Sequence, residues 1–150
     1  MQPRRSVSSE SDTQGSKGNL AVLDSSAILA WLLRESGGEL VEAVLPSLVS
    51  AVNLTEVDSV AARRGLNIQE VRRAVAELPL TVVPFDDNQV YLTAALHSRT
   101  RDLGLSLADC ACLSLAGQCG LPAITAEQSW AEASLGVEVR LIRPGPVAPS

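Results

Sequence analysis

Residues 20–150 contain no lysine, and the whole chain has one histidine, His97. A nuclease built on paired imidazoles is therefore excluded, because acid and base would need two. Cationic surface is also scarce: residues 20–150 hold nine arginines against 15 acids, and the full chain carries −5. Broad nonspecific attraction to nucleic acid is disfavoured, although a divalent ion bound among the acids would cancel much of their local field. Cysteine occurs three times, as Cys110, Cys112 and Cys119, all in one segment remote from His97. No disulfide framework or zinc set follows, and the three read as small buried apolar residues of a reducing compartment. No run approaches the roughly 18 apolar residues of a membrane span. The first 19 residues also lack the apolar centre of a secretory signal, so the expected location is cytoplasmic and no membrane is involved.

The apolar fraction of 46% over 150 residues fits one globular domain with a full core. Residues 1–19, dense in Ser, Gly and charge, cannot offset their ordering entropy and read as a disordered tail. The domain is expected over 20–143, with a frayed Pro-rich end at 144–150. Within it short apolar runs alternate with helical patterns. LAVLD is a strand leading into the helix SSAILAWLLRE. Gly37 and Gly38 break that helix, GELVEAVL forms another, and Pro46 stops it before the strand LVSAV. Asn53 reads as the N-cap of a helix to about Arg64, and Asn67 opens a helix carrying EVRRAVAEL. The strand LTVVPF and a long helix over 87–102 follow. Beyond Gly104 come the helix ADCACLSLAGQ, the strand PAIT, a short helix around Trp130 and the strand VEVRLI. Such alternation predicts an α/β domain with a mostly parallel sheet, its strands buried between two helical layers.

Four acids stand where apolar runs give way to polar junctions: Asp24, Glu56, Asp109 and Glu127. In open parallel sheets ligands bind beyond the carboxyl ends of the strands, and topology directs Asp24, Glu56 and Glu127 to that edge. Asp109 joins them if its helix begins there. Clustered carboxylates repel unless a cation neutralises them, which points to a metal site. A second reading competes, because Asn53-x-x-Glu56 and Ser106-x-x-Asp109 both have the form of capping boxes. Asp24, at the end of a central strand, has no such stabilising duty in the pattern. A phosphatase using Asp24 as nucleophile would ordinarily want a second acid where Ser26 stands, and a receiver domain would want a lysine.

The blocks LAVLDSSAILAWLLRE, LVSAVNLTEV, LGLSLADCACLSLAGQCGLPAITAEQSWA and VEVRLI resemble those of PIN-domain ribonucleases, most closely the VapC toxins of type II toxin–antitoxin pairs. The likeness covers about residues 20–143. It implies a three-layer α/β/α fold with a central parallel sheet of about five strands. It also implies Mg²⁺ or Mn²⁺ held by Asp24, Glu56, Asp109 and Glu127, with Ser26 and Thr125 as supporting hydroxyls. The fourth acid is usually Asp, so Glu127 is one methylene longer, and the next position, often basic, is Gln128. The implied activity is hydrolysis of RNA to 5′-phosphate and 3′-hydroxyl ends, with a VapB-like antitoxin as inhibitor and a homodimer as the assembly. The alternative is a non-catalytic PIN-like module that binds RNA or protein with a degenerate metal site.

Arg63, Arg64, Arg72 and Arg73 form the densest basic cluster and could contact an RNA backbone, or could lie on solvated helix faces paired with Glu70 and Glu77. Trp31 and Trp130 could stack on bases, but their apolar helical settings favour the core. Leu32, Leu33, Leu40, Val41, Val44 and Leu45 offer more apolar surface than two short helices need against a sheet. Part of it reads as a partner groove for the antitoxin tail.

Overall fold

The computed structural model describes residues 18–132 and 136–143, with β1 (Val22–Leu23), β2 (Ser47–Ser50), β3 (Leu80–Val83), β4 (Ala123–Thr125) and β5 (Val139–Leu141) in one sheet. Their order is β3-β2-β1-β4-β5 and every pairing is parallel. The helices are α1 (Ser25–Leu32), α2 (Leu40–Ala43), α3 (Ala51–Arg63), α4 (Ile68–Ala76), α5 (Asp87–Arg99) and α6 (Leu107–Cys119), with 3₁₀ turns at Arg101–Leu103 and Gln128–Glu132. Residues 1–17 of the tail expected over 1–19, and the frayed end at 144–150, lie outside the described residues. Among the described residues no helix is long and apolar enough to cross a membrane.

Period-two alternation divides the core into two halves. Ala21, Leu23 and Val49 face one side, where they meet Ile28 of α1, Val41 of α2, Val57 of α3 and Val71 of α4. Val22 and Leu48 face the other and meet Leu96 of α5 and Cys110, Cys112 and Leu113 of α6. β1 and β2 are buried on both faces, whereas Thr81 and Val82 of the edge strand β3 are exposed. The three layers expected from the sequence are therefore present, with burial on both faces confined to the inner strands.

Two helix boundaries shift from the sequence reading. The N-cap of α3 is Ser50, whose hydroxyl accepts from the Val52 N–H, so the helix starts at Ala51 and takes Asn53 into its first turn. A β-region serine after an apolar strand outcompeted the asparagine three residues later. The long helix expected over 87–102 ends at Arg99, and a 3₁₀ turn follows, closed by Gly104 at φ +71°. Trp130 is fully buried in the second core half and unavailable for stacking. Cys110 and Cys112 are buried as expected, whereas Cys119 at the end of α6 is half-buried.

The connection from α1 to α2 depends on a backbone approach that only glycine allows. A Cβ on Gly38 would press on the Ala30 carbonyl and lie 2.7 Å from the Trp31 nitrogen. Backbone cannot yield as a side-chain tip can. Gly38→Ala is expected to lower stability by about 3 kcal/mol, read as a lower urea midpoint with an unchanged m-value.

Candidate active site

β1 carries Asp24 to the carboxyl edge, where it is the N-cap of α1 and accepts from the Ser26 N–H at 3.4 Å. The sequence pattern alone assigned Asp24 no stabilising duty, so this capping role is a correction. The cap is long, and the residue is only 1% exposed. Stronger bonds come from hydroxyls: Ser26 Oγ donates to Asp24 Oδ2 at 2.6 Å and Thr125 Oγ1 donates to the same oxygen at 2.9 Å. Each hydroxyl is itself oriented by an N–H from the segment leaving β4. Ala126 N donates to Ser26 Oγ and Glu127 N to Thr125 Oγ1, both at 2.9 Å. Each hydroxyl thus accepts from one N–H and donates to the carboxylate, and the two hydroxyls stand 3.1 Å apart.

Burial raises the Asp24 pKa from 3.8 to about 6. The Ser26 and Thr125 bonds oppose that rise, and the negative charge of Asp109 adds to it. Asp109 is thus electrostatically close. It stands in the first turn of α6, where its Oδ2 accepts from Ser106 N at 2.9 Å and Ser106 Oγ accepts from Asp109 N at 3.0 Å. The capping box read from Ser106-x-x-Asp109 exists, and it fixes the acid at the sheet edge. Capping and proximity to Asp24 hold together for this residue. The Cys112 thiol, pushed well up by burial and further by Asp24 and Asp109, stays protonated beneath the site.

Glu56 does not cap α3, because the helix begins five residues earlier. It lies half-buried further along α3, and its Oε1 accepts a short hydrogen bond from Ser25 Oγ, next to Asp24. Glu127 follows β4 at the same edge with its side chain exposed. Asn53, fully buried, donates from Nδ2 to Asp24 Oδ1 at 3.4 Å and to the Ala108 carbonyl at 3.0 Å. Sequence reading missed Ser25 and Asn53 as site neighbours. A corrected helix start would have found Asn53, since it puts position 53 one turn before Glu56.

The four acids share an edge but do not converge. Among the described residues no three His, Cys, Asp or Glu side chains are close enough together to hold a metal ion. Glu56 Oε1 is engaged by Ser25 and Asp109 Oδ2 by Ser106. The donor set nevertheless fits a hard divalent cation: oxygen donors only, a desolvated carboxylate, and a second like charge beside it. Histidine and thiolate donors suited to zinc do not take part.

The basic cluster lies elsewhere. Arg64 pairs with Glu35 at 3.3 Å and Arg72 with Asp58 at 3.7 Å, in place of the Glu70 and Glu77 partners the sequence suggested. α3 runs away from the carboxyl edge, so Arg63 and Arg64 end about 18 Å along it. Arg99 and Arg101 flank Thr100 at the end of α5. The contact of Thr100 Oγ1 with Cys110 Sγ at 3.6 Å brings the end of α5 beside the start of α6. Trp31 is half-buried, donates to Glu42 at 3.0 Å, and lines an open cavity of about 560 Å³ with Leu32, Glu35 and Glu39.

The sequence from 21 to 134 matches the family model of the PIN domain. The chain belongs to the PIN domain family. Solved structures agree with the fold of this PIN domain. A toxin–antitoxin complex from Klebsiella pneumoniae superposes with a TM-score of 0.65 at 17% identity, over 82% of this chain and 98% of that one. DNA-bound VapBC from Salmonella typhimurium gives 0.63 at 16% identity, over 83% and 99%. VapBC-5 from Mycobacterium tuberculosis gives 0.58 at 22% identity, over 84% and 99%. No curated protein sequence matches the chain at a significant level.

Proposed function

We propose that this PIN domain is an Mg²⁺- or Mn²⁺-dependent endoribonuclease toxin of the VapC kind, acting in the cytoplasm and restrained by a VapB-like antitoxin. The observation that carries the reading is the Asp24 carboxylate, buried at the carboxyl edge with the charge of Asp109 beside it and, among the described residues, no cationic side chain bonded to it. Fold stability alone does not call for that arrangement.

Asp24 and Asp109 would hold the cation, with Glu56 and Glu127 as direct or water-mediated donors. Among the described residues Asp109 Oδ1 and Glu56 Oε2 accept no hydrogen bond and would also be available to it. A bound Mg²⁺ would supply charge neutralisation at the phosphoryl group and a water nucleophile near neutral pH. Ser26 and Thr125 hold Asp24 Oδ2 in place, while Oδ1 accepts one long bond from Asn53 and keeps a lone pair for a cation. Glu127, on a longer stem than the usual Asp, reaches from the rim. RNA would approach past Arg99 and Arg101, and a longer strand would extend toward Arg63, Arg64, Arg72 and Arg73.

The antitoxin would enter the cavity beside Trp31 and Leu32, whose acidic rim of Glu35, Glu39 and Glu42 suits a segment with apolar and basic side chains. Homodimerisation would use exposed apolar residues such as Val82, Val90 and Tyr91, the last 71% exposed. Purified protein is expected to cut RNA in Mg²⁺ or Mn²⁺, leaving 5′-phosphate ends, and to stop when EDTA is added. The lack of convergence among the acids favours one competing reading, a non-catalytic module. Intact RNA in either metal, with harmless expression in bacteria, would establish that alternative.

A further inference from the structure

Asn53 has no part in the four-acid arrangement, yet it is the residue that joins its pieces. Its side chain is fully buried, and one amide nitrogen serves two acceptors on different elements. Asp24 Oδ1 ends β1, and the Ala108 carbonyl lies in the first turn of α6, one residue before Asp109. Asn53 itself sits in the first turn of α3, one turn before Glu56. Three of the four acids are therefore referenced to a single amide.

The same amide carries an unpaired oxygen. Asn53 Oδ1 is buried and has no hydrogen-bond partner among the described residues. An apolar side chain of the same volume would avoid that cost, so stability alone does not account for asparagine here. The orientation of the amide also follows from its surroundings. Turned over, it would set its oxygen against Asp24 Oδ1 and the Ala108 carbonyl, so only the observed rotamer places a donor between two acceptors.

We propose that Asn53 is a positioning residue for the cation site: it holds Asp24 Oδ1 and the first turn of α6 in fixed relation, so that Asp24 and Asp109 are presented together. The inference rests on the metal-dependent reading above for its consequence and on the two hydrogen bonds for its geometry. Partners that orient metal ligands from outside the coordination sphere typically contribute 10–100-fold in affinity or activity.

Asn53→Leu keeps the branched heavy-atom outline at a somewhat larger volume and removes both N–H donors. In the metal-free protein, hydrogen exchange at the Cys110 and Ala111 amides is expected to rise about tenfold as the first turn of α6 loosens, while amides of α5 and the C-terminal half of α6 hold. In calorimetry the affinity for Mn²⁺ is expected to fall about 10–100-fold, and kcat on RNA to fall with KM unchanged. Asn53→Thr, which keeps one hydroxyl donor, should lie between the wild type and Asn53→Leu, and carries the same measurements if the leucine variant does not fold. Unchanged exchange together with unchanged Mn²⁺ affinity would reduce Asn53 to a packing residue. A wild-type protein without Mn²⁺ affinity would instead overturn the nuclease reading, and the exchange experiment would still decide whether Asn53 fixes α6.

Discussion

Asp24→Asn is expected to reduce RNA cleavage by more than about 100-fold, beyond the usual loss from removing an outer partner of a metal ligand, and to abolish growth arrest on induction. The change is nearly isosteric and keeps a carbonyl oxygen that can accept from Ser26 and Thr125, while the NH₂ that replaces Oδ1 gives up the long 3.4 Å bond from Asn53. What it removes is the negative charge, which is the feature a cation needs and the feature burial opposes. Loss of activity should therefore come without loss of fold. In metal-free buffer at neutral pH the variant is expected to unfold at higher urea than the wild type, because the desolvated charge has gone. Opposite signs for activity and stability are the mark of a residue strained for function. If the variant retained cleavage within a few-fold of wild type, Asp24 would not be a metal ligand. A loss of both activity and stability would make it a structural cap of α1.

The fold was legible because its signals are strong and redundant. Short apolar runs such as LAVL and PAIT, each followed by a helical pattern, admit few arrangements other than a parallel sheet with crossover helices. Edge strand β3 was less legible. LTVV has the same composition as a central strand, and only its place in the sheet exposes Thr81 and Val82. The site was partly legible. Topology puts Asp24, Glu56 and Glu127 at one edge, but rotamers are not written in spacing. Glu56 turns to Ser25 and Asp109 closes onto Ser106, choices settled by local hydrogen bonding.

Long-range pairs were the least legible. Thr125 meets Asp24 across 101 residues, and Asn53 meets Ala108 across 55. No local pattern encodes either contact. The arginines show the same limit in reverse. Arg63, Arg64, Arg72 and Arg73 are dense in sequence but are spread along α3 and α4, whereas Arg99 and Arg101 flank Thr100, which contacts Cys110 near the start of α6. Density along the chain is a poor guide to density at a site when the intervening helix runs away from it.

The stability of the metal-free protein is expected to fall as pH rises from about 4 to about 6, and Mn²⁺ is expected to flatten that slope. The folded pKa of Asp24, about 6, lies above the unfolded value of 3.8. Between these values the folded state keeps a proton that the unfolded state has already released. Raising the pH through this window therefore favours unfolding, and above it the cost of the buried charge is present in full, at about 3 kcal/mol. The quantity to measure is the difference between wild type and Asp24→Asn across pH 4–8 by urea denaturation, which isolates the contribution of Asp24. The two curves should meet near pH 4 and separate by pH 7, with wild type the less stable. A cation bound to the carboxylate removes the advantage of the protonated form, and binding to the folded state adds its own stabilisation. Millimolar Mn²⁺ should therefore raise the wild type above the variant at pH 7 and leave the variant nearly unchanged. Parallel curves with no separation at pH 7 would mean that Asp24 is already compensated within the chain, and the main physical reason for placing a cation there would be gone.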